Sequence, residues 1–400
     1  MIDEKLYPLL DGWQWIQQKN ICELSHGKKL SDAKFPYLDV KYLRGTKEKF
    51  FIDSGEFIER GTKIILVDGK NSSEIFTAPE AGYMGSTFRA LKISTNVNED
   101  FFQYFVSTKK DFYKKNKRGS AIPHLDKNLF KSTLFPLPPP NEQQRIVDLL
   151  DKLFADLDEE KALAQGVVNG SELRRAAILH KAFSGKLTKL WREEHGITLD
   201  SRQKKFLSDV IISSKQKTND FCSKGLKYVG LENMEKNGGQ ISFQAADNVK
   251  STKNIFYAGN LLYGKLRPYL DKHGVARFDG VCSTDILVFS ANEQAEIAFI
   301  NYFLSLPKFI EYAVANSKGI NLPRVSEKVV LNAEILLSPL DEQKEIVRSL
   351  DDLLGREQQT KDLATKTLER VELMKKSILA KAFRGELLAT KRNASHIRRQ

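Results

Sequence analysis

"NEQQRIVDLL" occupies residues 141–150 and "DEQKEIVRSL" occupies 341–350; "ILHKAFSGKL" at 178–187 is answered by "ILAKAFRGEL" at 378–387. These are the two ends of one longer echo. Laid over each other without a gap, 141–187 and 341–387 share 19 identical residues in 47 positions. The same offset sets "RGSAIPHL" (118–125) against "KGINLPRV" (318–325), each followed by a short apolar run and a proline. Farther upstream the echo weakens but keeps its order: "FIERGTKIILV" (57–67) with "FYAGNLLYGKL" (256–266), "GYMGST" (82–87) with "GVCST" (280–284), and "QYFVS" (103–107) with "NYFLS" (301–305). A period of about 200 residues marks duplicated domains rather than a solenoid.

The repeated segments read as helices. Each follows a proline-rich stop, "FPLPPPN" or "LSPLD", and Asn141 and Asp341 are placed to cap the first turn. A 3-4 spacing then runs through Ile146, Leu150, Leu153, Leu157 and on to Ile178, and in the second copy through Ile346, Leu350, Leu353, then Val371, Met374 and Ile378. Polar residues interrupt it, among them Arg174 in one copy and Glu357 in the other. Such a helix of about 40 residues is about 60 Å long, and its narrow apolar stripe needs a partner; the economical one is its own duplicate. Gly166 and Gly170 predict a weak point in the first helix, and Gly185 and Gly385 read as C-terminal stops.

The expected organisation has five segments: a first variable domain (1–140), a central helix (141–195), a second variable domain (196–340), a C-terminal helix (341–390) and a basic tail (391–400). The variable parts carry short strand-like runs ("KIILV", "FRALKI", "NLLYGKL", "DILVF") and helical stretches near 99–115 and 293–316, and so read as mixed α/β domains.

The chain of 400 residues has a net charge of +12, which favours a polyanionic partner. Three cysteines without CxxC spacing, an acidic start and no long apolar run point to a reduced, cytoplasmic setting. Catalytic signatures fail on inspection. "GNLLYGKL" (259–266) begins like a phosphate-binding loop, but Leu266 stands where Ser or Thr would hold magnesium, and Arg267-Pro268 disfavours the following helix. His26, His124, His180, His195, His273 and His396 show no ligand spacing, so no metal or cofactor site is expected in this chain.

What remains is binding. "KKDFYKKNKRGS" (109–120) interleaves six basic residues with two aromatics, and "KLRPYLDKHGVARF" (265–278) sets cations around a turn. The candidate DNA contacts are Arg44, Arg60, Lys63, Arg89, Lys117, Arg118 and His124 in the first half, and Lys265, Arg267, Lys272, Arg277, Lys318 and Arg324 in the second. Two other classes fit parts of this pattern: a coiled-coil scaffold with non-specific DNA binding, and a self-sufficient DNA modification enzyme. The latter needs a cofactor domain for which the duplicated chain has no room.

The duplicated "EQ-x-x-IV" helix starts and "KAF-x-G-x-L" ends, each after a variable domain, together with the opening "DGWQWIQQKNICELSHGK", resemble the specificity subunit of type I restriction-modification systems. The resemblance implies two tandem-duplicated α/β target recognition domains separated by two long helices packed as an antiparallel coiled coil with pseudo-two-fold symmetry. It further implies that each domain reads half of a split DNA target and that the helices set the unread spacer and dock two methyltransferase subunits. The chain itself would be non-catalytic. S-adenosylmethionine, ATP and magnesium would be bound by the methyltransferase and motor-nuclease partners.

Overall fold

The computed structural model describes residues 7–116, 123–219, 227–246 and 251–387. The chain divides into two compact units, one built from residues 1–164 with 366–400, the other from 165–365. The division cuts both long helices, Pro140–Phe183 and Leu340–Phe383, each an unbroken run of 44 residues. Each unit therefore holds the start of one helix and the end of the other.

Strand order is the same in both units. In the first, an antiparallel sheet runs Cys22–Ser25, Phe88–Ile93, Lys63–Leu66, Ile75–Thr77; in the second the order is Ile211–Ser213, Ile286–Ala291, Leu261–Gly264, His273–Val275. A five-stranded sheet accompanies each, with one parallel pair, Phe35–Leu38 on Gly82–Met84 and Lys227–Val229 on Gly280–Cys282. A short ladder closes each unit: Gln14–Gln17 against Leu134–Leu137, and Gln203–Phe206 against Glu334–Leu337. That ladder leads straight into the long helix.

The spacing between equivalents is not constant. Gln14 corresponds to Gln203, Lys63 to Leu261 and Leu134 to Glu334, so the offset grows from 189 to 198 to 200 as loops differ in length. One upstream match shifts by a residue as a result. Ile58, not Phe57, is the counterpart of Phe256, since both face the glycine of the next strand, Gly82 or Gly280. Such a slip matters because neighbouring strand residues face opposite sides.

The "KAF" echo has a packing reason. Phe383 lies 4.9 Å from Phe101 and 5.4 Å from Phe105 in the first unit. Phe183 lies 4.9 Å from Phe299 and 6.1 Å from Phe303 in the second. Ala182 and Ala382 are fully buried beside them. Each helix end thus plugs the core of the unit it reaches.

The helix starts also differ from expectation. Both helices begin one residue earlier, at Pro140 and Leu340, so Asn141 and Asp341 lie in the first turn rather than at the cap. The buried Gln143 and Gln343 do the tying instead. Gln143 donates to Pro138 and Asn96 carbonyls and accepts from the Asn98 N–H; Gln343 donates to Ser338 and Gln294 and accepts from the Glu296 N–H. Gly185 and Gly385 end the helices with φ of 80° and 76°, the left-handed stop that glycine adopts without strain. The glycine weak point does not appear as a break. An added Cβ at Gly170 would sit 2.6 Å from the Arg174 guanidinium, so glycine there makes room for that side chain.

Within each unit the two helix segments run antiparallel. Lys161 pairs with Glu372 at 2.6 Å in the first unit; Arg174 grips Glu357 through Nε and Nη2 at 3.0 and 2.8 Å in the second. The buried seam positions recur every seven residues, at Leu150, Leu157, Ala164 and Ser171, and on the same period at Leu350, Ala364 and Val371, with half-buried Glu357 at the place between Leu350 and Ala364. Leu153, Leu353, Met374, Ile178 and Ile378 flank them half-buried. Ile146, Leu150, Ile346 and Leu350 serve two surfaces at once, because they belong to the domain cores that also contain the end of the other helix. The helices thus pair with each other, as expected, and also pack into the domain cores.

Candidate nucleic-acid interface

The hairpin between Leu261–Gly264 and His273–Val275 carries "KLRPYLDK" (265–272). Arg267 and Asp271 both adopt left-handed backbone, φ 53° and 51°. A conformation of that kind costs about 1–3 kcal/mol at a non-glycine residue. Pro268 supports the tight turn between them by starting the short helix Pro268–Leu270.

A buried polar cluster holds the stem. His273 Nε2 lies 2.8 Å from Asp271 Oδ1, and its Nδ1 lies 2.7 Å from Asn301 Oδ1. Ser305 donates to Asp271 Oδ2 at 2.9 Å. Ser305 and Asp271 meet the same ring nitrogen, so the trio is not wired as a nucleophile–base relay, in which the carboxylate and the hydroxyl occupy opposite nitrogens. Its role is to lock the loop.

The front of the loop is stitched to segment 318–325. Arg267 N–H donates to the Pro323 carbonyl at 2.7 Å, Val325 N–H to Lys265 at 3.0 Å, and Lys318 and Arg324 exchange backbone bonds of 2.8 Å. Lys265, Arg267, Lys318 and Arg324 thereby share one face. Asp285 is the carboxylate beside them, 3.3 Å from Arg324 and 4.0 Å from Lys265. Arg267 and Lys318 are exposed and have no side-chain partner among the described residues. Exposed Tyr269 projects from the same turn. Lys272 instead turns back, donating to the Leu231 carbonyl at 2.5 Å.

The first unit builds the same loop from different residues. Segment 67–74 has left-handed Gly69 and Ser73 where the second unit has Arg267 and Asp271. Gly69 N–H donates to Pro123, Leu125 N–H to Val67, and Asp68 bridges His124 as Leu266 bridges Arg324. The charges are more balanced here. His124 lies 2.7 Å from Asp68, and Arg44 is paired with Glu74 and stacked over Phe76. Lys70 occupies the exposed tip.

Other expected contacts lie away from these loops or turn inward. Lys63 is buried and saturated, donating to Asp100, Gln103 and Thr77 at 2.6–2.8 Å, so it serves the core of the first unit. Arg89 folds onto its own backbone, donating to the Phe88 carbonyl at 2.6 Å. Arg60 and Arg277 are exposed but lie at the other ends of the strands that carry the loops. Lys117 and Arg118 lie outside the described residues. Residue types alone marked Lys318 and Arg324 but not Tyr269, Lys70 or the apolar Ile320 and Leu322 between those two cations; the positive φ pair at matched loop positions points to Tyr269 and Lys70.

One buried ionic site also escaped the sequence reading. Glu342 is fully buried and accepts from Arg202 Nη2 at 2.6 Å, Arg192 Nη1 at 2.8 Å and Thr188 Oγ1 at 2.8 Å. Burial pushes its carboxyl up, but the bonds from Arg202, Arg192 and Thr188 outweigh burial and hold it below the ordinary carboxylate range. Among the described residues no cluster of His, Cys, Asp and Glu could hold a metal, and no helix is long and apolar enough to cross a membrane.

Compared with known proteins, residues 11–166 and 203–372 each match the family described as "Type I restriction modification DNA specificity domain". The chain belongs to that family. Its two specificity domains coincide with the two halves that carry the matched loops. Relatives include the type I restriction enzyme EcoDI specificity subunit of Escherichia coli, 28% identical over 404 residues, covering 94% of this chain and 89% of the relative. The MjaVIII specificity subunit of Methanocaldococcus jannaschii is 26% identical over 419 residues, covering 94% and 93%. Among solved structures, a chain of a type I R-M system assembly shares the fold with a TM-score of 0.73 at 19% identity, covering 96% of this chain and all of that one. The HsdS subunit of Thermoanaerobacter tengcongensis does so with a TM-score of 0.57, also at 19% identity and with the same coverage.

Proposed function

We propose that this chain is the non-catalytic DNA-reading subunit of a type I restriction-modification complex, with each specificity domain reading one half of a split target. Residues 1–140 and 196–340 are the reading domains, and the helices that follow them set the unread spacer. The observation that carries this reading is the pair of matched loops, 67–74 and 265–272, with one backbone design and different side chains. Equal frames with unequal contacts suit two different half-sites. The first-unit face comprises Arg44, His124 and Lys70, and the second-unit face Lys265, Arg267, Lys318, Arg324 and Tyr269.

Two methyltransferase subunits dock on the long helices. Four leucines support this stoichiometry: Leu163 and Leu363, and Leu173 and Leu373, are between 67% and 77% exposed and repeat at an offset of 200. Large apolar side chains on otherwise polar helices suit partner contacts, and duplicated ones suit two copies of one partner. S-adenosylmethionine, ATP and magnesium belong to the partner subunits, and the motor-nuclease joins for restriction.

The test is to map methylated adenines in DNA from cells carrying this chain with its methyltransferase partner. Methylation confined to one split sequence is expected. Methylation without sequence preference would leave only a scaffold, and methyl transfer by the purified chain alone would make it an enzyme.

A further inference from the structure

An apolar point stands on the cationic face of the second unit. Ile320 is 100% exposed and its neighbour Leu322 is 45% exposed, although burying a side chain of this size is worth about 1.5–3 kcal/mol. They sit on the five-residue turn (319–323) closed by the mutual Lys318–Arg324 backbone bonds and pinned by Arg267 N–H to the Pro323 carbonyl. Gly319, φ 102°, gives the turn its shape; a Cβ there would come within 3.0 Å of the Leu322 carbonyl oxygen. The tip is therefore a short apolar projection on an anchored base, flanked in the chain by Lys318 and Arg324 and bonded through backbone to the segment that carries Lys265 and Arg267.

Stacked base pairs between two rows of phosphate have the complementary chemistry. Cations at the rim meet phosphates, while an apolar side chain is buried only by entering a base step, which it partly unstacks and kinks. We infer that Ile320, backed by Leu322, is a wedge that enters one base step of the half-site read by the second unit. This rests on the proposed DNA-reading function and adds a deformation component to it, since a step that unstacks easily would be favoured without any hydrogen bond to its bases. In the aligned stretch 118–125 of the sequence, Ser120 stands where Ile320 does and Ile122 where Leu322 does, so the wedge residue itself is not repeated.

The experiment uses the full chain with its methyltransferase partner and duplexes bearing the mapped split target. 2-Aminopurine is placed at each position of both half-sites except the methylated adenines, and end-attached dyes report bending. Wild type should raise the fluorescence severalfold at one step in the second unit's half-site and shorten the end-to-end distance. Ile320→Ala should abolish both signals and weaken binding about tenfold, while Ile320→Met should retain them. Identical signals from wild type and Ile320→Ala would overturn the wedge while leaving split-target preference intact. A defect in Ile320→Ala that is reproduced by replacing a thymine with uracil, without unstacking, would replace the wedge by a methyl contact and so overturn it. Loss of any preference for the split target in wild type would instead overturn the underlying function and the wedge with it.

Discussion

The two helix starts make the same joint with opposite chemistry. In the first unit Trp13 donates its indole N–H to Glu142 at 2.7 Å. The equivalent of Trp13, one residue before the ladder strand, is Arg202, which together with Arg192 clamps Glu342. One joint is a single hydrogen bond from an uncharged donor to a half-buried carboxylate, the other a fully buried ionic cluster. The seam repeats the contrast: Arg174 and Glu357 pair in the second unit, where Met374 and Leu157 hold the corresponding places in the first. A duplicated frame tolerates either chemistry provided both members of a pair change together, because a buried charge left alone is far costlier than a pair or an apolar substitute.

That contrast can be broken most sharply at Glu342. Glu342→Gln should destabilise the second unit by about 3–5 kcal/mol, since it leaves two buried guanidinium groups short of charge. Glu142→Gln, which keeps an acceptor for Trp13, should cost about 1 kcal/mol or less. Hydrogen exchange resolved along the chain measures both, and equal losses would erase the distinction.

The same carboxylate predicts an acid asymmetry. Its folded pKa is depressed, so its stabilisation is complete above the ordinary glutamate value near ~4.3 and is lost as pH falls through the lower folded value. Exchange protection of the second unit should therefore decline more steeply below that range in wild type than in Glu342→Gln.

For the reading faces, Arg267→Ala should weaken binding to the split target by about 1–3 kcal/mol, and the methylation pattern should relax only in the second unit's half-site. Lys63→Met should instead lower the stability of the first unit with the salt dependence of DNA binding unchanged, which titrations at several salt concentrations would reveal. The smallest effect is expected at the seam. The double change Arg174→Met with Glu357→Leu, which copies the first unit's pair, should shift the melting temperature less than either single change.

Much of the architecture was legible because helix and core demand local patterns. The seven-residue seam, Phe183 with Phe383 and the stops at Gly185 and Gly385 are all written within one 47-residue echo. The interface was less legible because its frame is backbone. Gly69 and Arg267 share a left-handed conformation that their residue types do not share. Lys63 looked like a phosphate contact, and only the fold brings Thr77, Asp100 and Gln103 to it. Glu342 and Arg202 are 140 positions apart, with no spacing rule to join them.

The most direct test of the account replaces residues 200–335 with the matching segment of a specificity subunit whose target is known, followed by mapping of methylated adenines. The account predicts that one half of the target changes to the donor's half-site while the other half and the spacer stay as they were. A change in both halves, or in neither, would contradict it.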